Sequence, residues 1–433
     1  MFNILNYGAK EGGKILCTAA IQKAIDECFL AGGGIVTVPA GTYLTGTIWL
    51  KSHIELHLEA GAVLRGSADL KDYNDDDLDE KRDTDYPQNF SCAEEEWRGK
   101  HLIIAHECED VALTGKGCVD GAADDYFEDV WFAEHKHDYW YPEGWCWSKD
   151  KVNLRPGQVI VFAECKNVLI SDITVCNAPC WDIFLHGCDN VRINGVYIHN
   201  PRYFINTDGI DIDCCSYVTV SNCVIDTADD CITFRANPER LSNKDKKCEY
   251  ITVTNCTLST TCFAFRVGVG TGTVEHIRVS NISVSRAATP IAFTPHFGEN
   301  ETNIRDVNFN NISAGEVSFP CRIEVGKKAT FSDITIENYR SYSYGQLFAV
   351  AEDSISDNII LRNIECHFVD KGVELSKEIV DQRGNALALF KNMSGLTVDG
   401  MKLCCEADVF KGWQKAIEID NCPKLKLNNI ELP

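Results

Sequence analysis

Three aspartates on two nearby segments are the residues of this chain best suited to do chemistry. Asp208 lies in Asn206-Thr207-Asp208-Gly209, and the pair Asp229-Asp230 follows it by 21 and 22 residues. Carboxyl groups that converge can divide into one protonated acid and one ionised base beside a water, which is what hydrolysis of a glycosidic bond requires. An isolated aspartate more often caps a turn. The prediction therefore depends on whether the fold brings these side chains together.

A recurring four-residue pattern of apolar, polar, Asn/Asp/Gly and apolar residues indicates how they meet. It occurs ten times, and successive copies start 23, 27, 33, 26, 30, 22, 30, 37 and 29 residues apart. A constant motif at variable spacing is typical of a solenoid coil with insertions, and the alternation around it is strand periodicity. Asn and Asp tolerate the left-handed backbone of a sharp corner and can form ladders between coils. The copies begin at Ile170, Ile193, Val220, Val253, Val279, Phe309, Phe331, Leu361, Val398 and Leu427.

We therefore predict an all-β fold, a right-handed parallel β-helix, in which the aspartates lie on neighbouring coils of one face. The continuous repeat favours a single domain over residues 1–433. One helix is predicted from Thr18 to Leu30, where an apolar stripe ends at Gly32-Gly33-Gly34. A solenoid needs its open end covered, so we interpret this helix as an N-terminal cap.

The charge and the hydropathy exclude two classes of partner. A net charge of −23 argues against nucleic acid, because phosphate binding needs a basic face. No apolar run reaches the length of a membrane span. The expected partner is an oligosaccharide substrate, and the sequence does not indicate an oligomeric state.

The 22 cysteines are predicted to be free thiols. Cys223 and Cys256 occupy the second apolar position of the repeat, where a cysteine behaves as a small buried hydrophobe. Free thiols at this density indicate a reducing compartment. The start Met1-Phe2-Asn3-Ile4-Leu5 has no basic or apolar leader pattern, so a cytoplasmic location is expected. No cluster with metal-ligand spacing is found, and no metal or cofactor is predicted.

Several motifs carry a family resemblance. The opening of the chain contains Tyr7-Gly8-Ala9-Lys10, Gly32-Gly33-Gly34 and Val38-Pro39-Ala40-Gly41-Thr42-Tyr43. The more specific motifs are Asn177-Ala178-Pro179-Cys180-Trp181, Asn206-Thr207-Asp208-Gly209-Ile210-Asp211 and Asp229-Asp230-Cys231-Ile232. In their order and spacing these resemble the polygalacturonase family of glycoside hydrolases, family 28, over nearly the whole chain. The resemblance implies hydrolysis with inversion, with Asp229 as general acid and Asp208 and Asp230 activating the water.

Two departures from that family change the expected substrate. Phe263 stands where the family carries the His of Gly-His-Gly, and Ile291-Ala292-Phe293 stands where an Arg-x-Lys that grips uronate carboxylates is expected. A buried carboxylate without a cation is costly, so we do not expect plain polygalacturonate to be the substrate. Arg235 and Arg266 are candidates for a replacement basic pair.

An aromatic-rich insertion, residues 124–156, interrupts the repeat just before the aspartates. Insertions on a solenoid commonly lie on its functional face, and aromatic faces stack on sugar rings. Trp145 of this insertion, together with Trp181 and Asn206 of the matched motifs, is a candidate substrate contact. An insertion that closes one end of a groove would make the enzyme exo-acting, although a self-packed loop is an alternative interpretation.

Two other functions remain open from the sequence. A uronate lyase or epimerase on the same fold would use a calcium ion and a basic residue, which the three aspartates argue against. A non-enzymatic carbohydrate-binding β-helix would bind sugars without turnover. The prediction is a glycosidase of the polygalacturonase type.

Overall fold

The computed structural model describes residues 2–74, 100–126, 155–202, 204, 206–294, 302–352, 354–369, 384–411 and 413–433. Trp145 and most of the 124–156 insertion lie outside these residues, so the predictions made for them stay predictions.

Residues that alternate between core and surface form short strands that stack in parallel from coil to coil. One strand of each coil joins a 12-stranded sheet, sheet 1. Its strands are β4 (Ile48–Trp49), β7 (Ile103–His106), β10 (Ile160–Ala163), β13 (Ile183–His186), β16 (Ile210–Asp213), β19 (Ile232–Ala236), β22 (Phe263–Gly270), β24 (Thr289–Phe293), β26 (Arg322–Val325), β28 (Leu347–Ala351), β30 (Ala386–Lys391) and β32 (Lys415–Asp420).

The rest of each coil belongs to a 21-stranded sheet, sheet 2. Two short strands per coil near the N-terminus become one long bent strand per coil from β23 onward. Its members are β1 (Phe2–Asn3), β2 (Gly34–Val38), β3 (Gly41–Thr45), β5 (Ile54–Leu58), β6 (Ala62–Gly66), β8 (Glu109–Gly115), β9 (Cys118–Asp120), β11 (Lys166–Ser171), β12 (Thr174–Cys176), β14 (Asp189–Asn194), β15 (Tyr197–His199), β17 (Ser216–Ser221), β18 (Val224–Thr227), β20 (Cys248–Thr254), β21 (Thr257–Thr260), β23 (Thr273–Ala287), β25 (Asn303–Val317), β27 (Thr330–Ser343), β29 (Ile355–Phe368), β31 (Leu396–Cys405) and β33 (Lys426–Asn428).

The core follows the axis of the coils because equivalent apolar residues stack in columns. One column in sheet 2 runs through Val168, Val191, Val218, Ile251 and Ile277, each paired in register with the next. All five are buried. Burial of a Val or Ile side chain contributes about 1.5–3 kcal/mol, so every added coil extends the core by a similar amount. The predicted right-handed parallel β-helix is confirmed.

The corner residue of the repeat has the left-handed backbone that the sequence predicted. Asn222, Asn255, Asn281 and Asn311 have φ values of 57°, 56°, 58° and 56°. The Asn311 side-chain amide donates to Asn281 Oδ1 at 2.8 Å, and the Asn281 amide donates to Asn255 Oδ1 at 3.4 Å. The corner is therefore stabilised by an amide ladder between coils.

One of the ten predicted copies is wrong. Phe331 pairs with Ile304, whereas Phe309, the start of the preceding copy, pairs with Ile336. The copy on this coil is therefore Ile336-Glu337-Asn338-Tyr339, and the residues from Phe331 form a different corner of the same coil. Both corners contain an Asx residue with positive φ, which is why the sequence pattern did not separate them.

The predicted cap is present as helix α1, Thr18–Leu30. Ile21, Ala24, Ile25 and Cys28 are buried in the same core as the first coil. The Gln22 side-chain amide donates to Trp49 O at 3.1 Å and accepts from Trp49 N at 2.8 Å. It thereby satisfies backbone groups at the edge of sheet 1 that would otherwise template further strands.

A second, short helix, α2 (Ala407–Phe410), lies near the C-terminal coils. Among the described residues, neither helix is both long and apolar enough to cross a bilayer.

The described cysteines are all free and mostly buried. Cys223 and Cys256 are 1% and 2% exposed, as expected for the second apolar position of the repeat. A further column of buried cysteines fills one corner: the backbone N–H of Cys108 donates to Cys165 Sγ at 3.4 Å, and that of Cys188 donates to Cys215 Sγ at 3.3 Å.

Candidate functional site

The parallel register of sheet 1 brings the three aspartates together. Asp208 and Asp230 each lie two residues before a strand, β16 and β19, whose first residues Ile210 and Ile232 are paired. The backbone N–H of Gly209 donates to Asp230 O at 2.8 Å, which joins the two turns directly. Asp208 and Asp230 are buried and Asp229 is partly exposed.

Threonine side chains hold the turn that carries Asp229 and Asp230. Thr207 Oγ1 accepts from the backbone N–H of Ala228 at 3.1 Å. From the following coil, Thr260 Oγ1 donates to Asp229 O at 2.5 Å and Thr261 Oγ1 donates to Ala228 O at 2.6 Å. Because these bonds come from both neighbouring coils, the turn is fixed before any ligand binds.

Arg235 links two of the carboxylates. It lies on β19 with its side chain away from the core, and its Nε donates to Asp211 Oδ1 at 2.5 Å. Its Nη2 donates to Asp208 Oδ2 at 3.3 Å. The guanidinium lies over the Trp181 ring, 4.2 Å from the ring centroid, where it gains cation–π stabilisation.

Arg266 binds the third carboxylate from the next coil. Its Nη1 lies 3.1 Å from Asp230 Oδ2, and the backbone N–H of Phe263 donates to Asp230 Oδ1 at 3.3 Å. The guanidinium also lies 5.6 Å from the centroid of the Phe263 ring. The two arginines thus contact the protein's own carboxylates, and their predicted role as a replacement pair for a substrate carboxylate stays a prediction.

Burial of the carboxyl groups and the repulsion between them favour the retention of one proton in this cluster. Burial, followed by the charge of Asp230, raises the pKa of Asp229 to about 7, although Arg266 opposes the shift. Burial and the carboxylates of Asp211, Asp229 and Asp230 raise the pKa of Asp208 well above its ordinary value. Four carboxyl groups face two guanidinium groups here, so full ionisation would leave two negative charges uncompensated. A proton shared in the cluster lowers that cost.

The other predicted contact residues form the wall of the site rather than an open platform. Trp181 is 2% exposed, and Arg235 covers one face of its ring while Phe184 packs edge-on at 5.3 Å. Asn206 has a left-handed backbone with φ of 55°, and its Oδ1 accepts from Arg155 Nη2 at 3.0 Å. We expect both residues to shape the site more than to stack on a sugar.

Two further polar residues near the site, Asp211 and Asp182, were not predicted from the sequence. Asp211 contacts Arg235, and burial raises the pKa of Asp211 to about 6 against the effect of that arginine. Asp182, one coil earlier, is fully buried, and its Oδ2 accepts from Asn200 Nδ2 at 2.5 Å. The alternation of Ile and Asp in Ile210-Asp211-Ile212-Asp213 could have predicted the position of Asp211. The two core isoleucines place both aspartates on the opposite face of β16.

The predicted place of Ile291 and Phe293 in the site is wrong. Ile291 and Phe293 do not face the site, because both are fully buried in the core and pair with the core residues Phe265 and Val267. The residue of β24 that lies beside Arg266 is Ala292. Strand β24 still places no cation beside Arg266, but the reason is the single small residue Ala292 and not an apolar pair.

The residue that follows Ala292 on this face of sheet 1 is a cation that was not predicted from the sequence. Arg322 of β26 pairs with Ala292. Its Nη2 lies 2.8 Å from Glu324 Oε1, and its guanidinium lies 5.5 Å and 4.9 Å from the Phe319 and Phe348 ring centroids. This cation is thus two strands from Arg266 along the same face.

Comparisons with known proteins find similarity to polygalacturonases and related glycoside hydrolases. Residues 35–250 match the model of glycosyl hydrolases family 28. An exo-poly-alpha-D-galacturonosidase of Dickeya chrysanthemi is 29% identical over 276 residues, 57% of this chain and 44% of that protein. A probable polygalacturonase of Vitis vinifera is 28% identical over 241 residues, 54% of this chain and 44% of that protein.

These sequence matches thus span less than half of each relative's length. A solved structure supports the fold over a larger range. The family 28 exopolygalacturonase of Yersinia enterocolitica superposes with a TM-score of 0.71 at 19% identity, covering 100% of this chain and 79% of that one. The family match and the coil architecture agree, and the chain belongs to glycosyl hydrolase family 28.

Proposed function

We propose that the protein is an inverting glycoside hydrolase that acts on a short pectin-derived or related oligosaccharide. The observation that supports this proposal most strongly is the convergence of Asp208, Asp229 and Asp230 on adjacent coils beside two arginines. A site built for calcium-dependent elimination would need a basic residue free to abstract a proton, and both arginines here contact carboxylates.

Asp229 is the proposed proton donor to the leaving oxygen. It is the partly exposed member of the three, and its raised pKa keeps a proton on it near neutrality. Asp230, which contacts Arg266 and accepts from the Phe263 N–H, and Asp208 on the preceding coil are the proposed bases for the attacking water. Neighbouring coils lie about 4.8 Å apart, and an offset of Asp208 from Asp229 along the coil would add to that spacing, toward the roughly 6.5–9.5 Å that leaves room for a water in inversion.

In the proposed reaction the Asp229 proton passes to the glycosidic oxygen as the bond to the anomeric carbon breaks. The water oxygen forms the new bond on the opposite face of the sugar, and its proton passes to the base. The products are a shortened glycan and a sugar of inverted anomeric configuration. Protons and bonds balance without a cofactor.

We further propose that plain polygalacturonate is a poor substrate. Arg235 and Arg266 bind the protein's own carboxylates, and β24 presents Ala292 beside Arg266. A uronate carboxylate placed over Ala292 would lack a charge-assisted hydrogen bond worth about 1.5–3 kcal/mol. A neutral or mixed pectic glycoside would not incur this loss.

A galacturonide is the alternative substrate, and Arg322 is the observation that favours it. The relatives from Dickeya and Vitis are named for galacturonides. A carboxylate two strands beyond Arg266 would meet Arg322, which Glu324 and two phenylalanine rings hold in place. In this alternative the enzyme accepts a uronide whose carboxylate lies two strands beyond Arg266.

A rate comparison separates the two substrates. Homogalacturonan oligomers are compared with rhamnose-, galactose- and xylose-containing ones, with reducing-sugar and ultraviolet detection in parallel and NMR of the first anomer released. New β-anomer from an α-linked glycoside without ultraviolet absorbance supports inverting hydrolysis, whereas absorbance from an unsaturated uronide would mean a lyase. Fast turnover of homogalacturonan that Arg322→Ala abolishes would establish the uronide substrate. Arg340→Ala, which removes a similar Arg–Glu pair from sheet 2, is the matched control.

We also propose exo action on imported oligosaccharides in the cytoplasm. The Dickeya relative's name indicates release from a chain end, and an enzyme inside the cell would meet short glycans rather than polymer. Time courses on a labelled hexasaccharide test this: exo action releases one small product from the outset, whereas early appearance of several intermediate lengths would contradict it.

A further inference from the structure

Cys262 is a thiol placed among the catalytic carboxylates that the proposed reaction does not use. It precedes Phe263 at the start of the coil that follows Asp229-Asp230. Its backbone N–H donates to Thr260 Oγ1 at 2.9 Å, and the same hydroxyl donates to Asp229 O at 2.5 Å. One threonine thus joins the backbones of Cys262 and Asp229. The Cys262 carbonyl accepts from the N–H of Ala288 at 2.8 Å, so the next coil fixes it from the other side.

The thiol lies within reach of two carboxylates. Its Sγ and one carboxylate oxygen each of Asp229 and Asp230 all lie within 4.8 Å of one another. Cys262 is 8% exposed, and Asp230 is fully buried. The thiol and the Asp230 carboxylate are therefore largely shielded from water.

The thiol is a donor here and not a nucleophile. Burial, followed by the charges of Asp230 and Asp229, raises the pKa of Cys262 well above its ordinary value. The group therefore keeps its proton, and a neutral S–H can donate to a carboxylate. Such a donor stabilises the ionised form of its acceptor.

The remaining charges around Asp229 oppose one another. Asp230 on the same turn and Asp208 on the preceding coil disfavour its ionised form, and Arg266 on the following coil favours it. Cys262 is the neutral donor added to this balance.

We propose that Cys262 is a positioning residue that acts through Asp229, donating its S–H to the carboxyl group and thereby setting the orientation and acid strength of the proton donor. The inference rests on the proposed function, in which Asp229 is the general acid. No covalent step on sulfur is involved.

The kinetic test compares Cys262→Ala, which removes the donor, with Cys262→Ser, which keeps one. Without the donor the ionised form of Asp229 is less stable, so the alkaline limb of kcat/KM should move to higher pH, by about half to one unit for a weak donor to a charged acceptor. Cys262→Ser should return the limb to the parent position or below it. Cys321→Ala, a buried cysteine on another coil, is the matched control and should leave the limb unmoved. A limb at the parent position in Cys262→Ala would overturn the inference.

A measurement on the resting protein keeps this inference separate from the proposed function. The infrared S–H stretching band that disappears in Cys262→Ala should shift as Asp229 titrates near neutral pH, and the shift should be lost in Asp229→Asn. A band that shifts in a protein with no hydrolytic activity would reject the proposed function and keep the contact. A band insensitive to both pH and Asp229→Asn would reject the contact even in an active enzyme.

Discussion

At the scale of single residues, the site is defined by an imbalance of charge. Asp208, Asp211, Asp229 and Asp230 lie beside two arginines, which form ion pairs with three of the four carboxylates. We therefore expect Arg235 and Arg266 to contribute to catalysis by influencing the protonation of the carboxyl groups beside them. Neutralising one aspartate should change the behaviour of the others as well as removing its own role.

The three aspartates can be tested one at a time. Asp229→Asn should lower kcat by about 10²–10⁴-fold, because the proton donor is lost, and Asp208→Asn and Asp230→Asn should approach that loss by disabling the water. Circular dichroism should be unchanged, since Asn keeps the shape of Asp. Asp333→Asn at a solvent-exposed corner is the matched control and should retain parent activity. Activity within a few-fold of the parent in all three site variants would show that the assignment is wrong.

The pH dependence of the reaction follows from the shifted proton donor. The pKa of Asp229 is raised to about 7, and the reaction needs its protonated form. Activity should therefore fall as pH rises through about 7, whereas a carboxyl at its ordinary pKa of 3.8 would already be inactive there. A kcat/KM profile from acid to alkaline pH measures this limb. A limb below pH 5 would contradict the protonation scheme.

At the scale of elements, corners and strands make separate contributions. The strands stack apolar side chains into the core, while left-handed Asx corners turn the chain and add an amide ladder. This division explains why loops of different length are tolerated between coils: the inserted residues do not change the register of the strands.

Replacement of one corner residue measures the corner's contribution. Asn311→Ala should lower the free energy of unfolding by about 1–2 kcal/mol, because alanine is strained at a φ of 56°. Part of the loss comes from the amide bond to Asn281. Asn311→Gly, which relieves the backbone strain, should cost clearly less. Chemical denaturation followed by circular dichroism compares these variants with Ser283→Ala, an exposed strand position. Equal stability of the alanine and glycine variants would exclude backbone strain as the cause.

At the scale of the whole molecule, the core is a continuous column closed at the N-terminal end by α1. Cysteines line parts of this column, and all those described are free thiols. Thiol packing needs no oxidising environment, and the cytoplasmic location stays a prediction.

A thiol count tests this interpretation for the complete chain. Titration of the denatured, non-reduced protein should find close to all 22 cysteines reactive. Prior reduction should not increase the count, and this sample is the control. A count near zero without reduction would mean disulfides throughout and would overturn the cytoplasmic proposal.

The sequence by itself determined the coil architecture and the cap. A period-2 pattern, an Asx corner and a terminal amphipathic stripe are local signals, and each reports on a few adjacent residues. The α1 boundaries, Thr18 and Leu30, were predictable for this reason. The pairing of Asp208 with Asp229-Asp230 was also predictable, because one coil of spacing places side chains on neighbouring coils.

Only the tertiary structure decided register and charge pairing. The sequence could not tell the Phe331 corner from the Ile336 corner, because both have the same local chemistry and differ only in the strand they meet. Ile291 and Phe293 were assigned to the site although they face the core, since a shift of one residue along a strand reverses the face. Arg235, Arg266 and Cys262 can be read in the sequence, but their partners cannot, because those partners lie on other coils. Those contacts depend on distances of a few ångströms that only the stacked coils define.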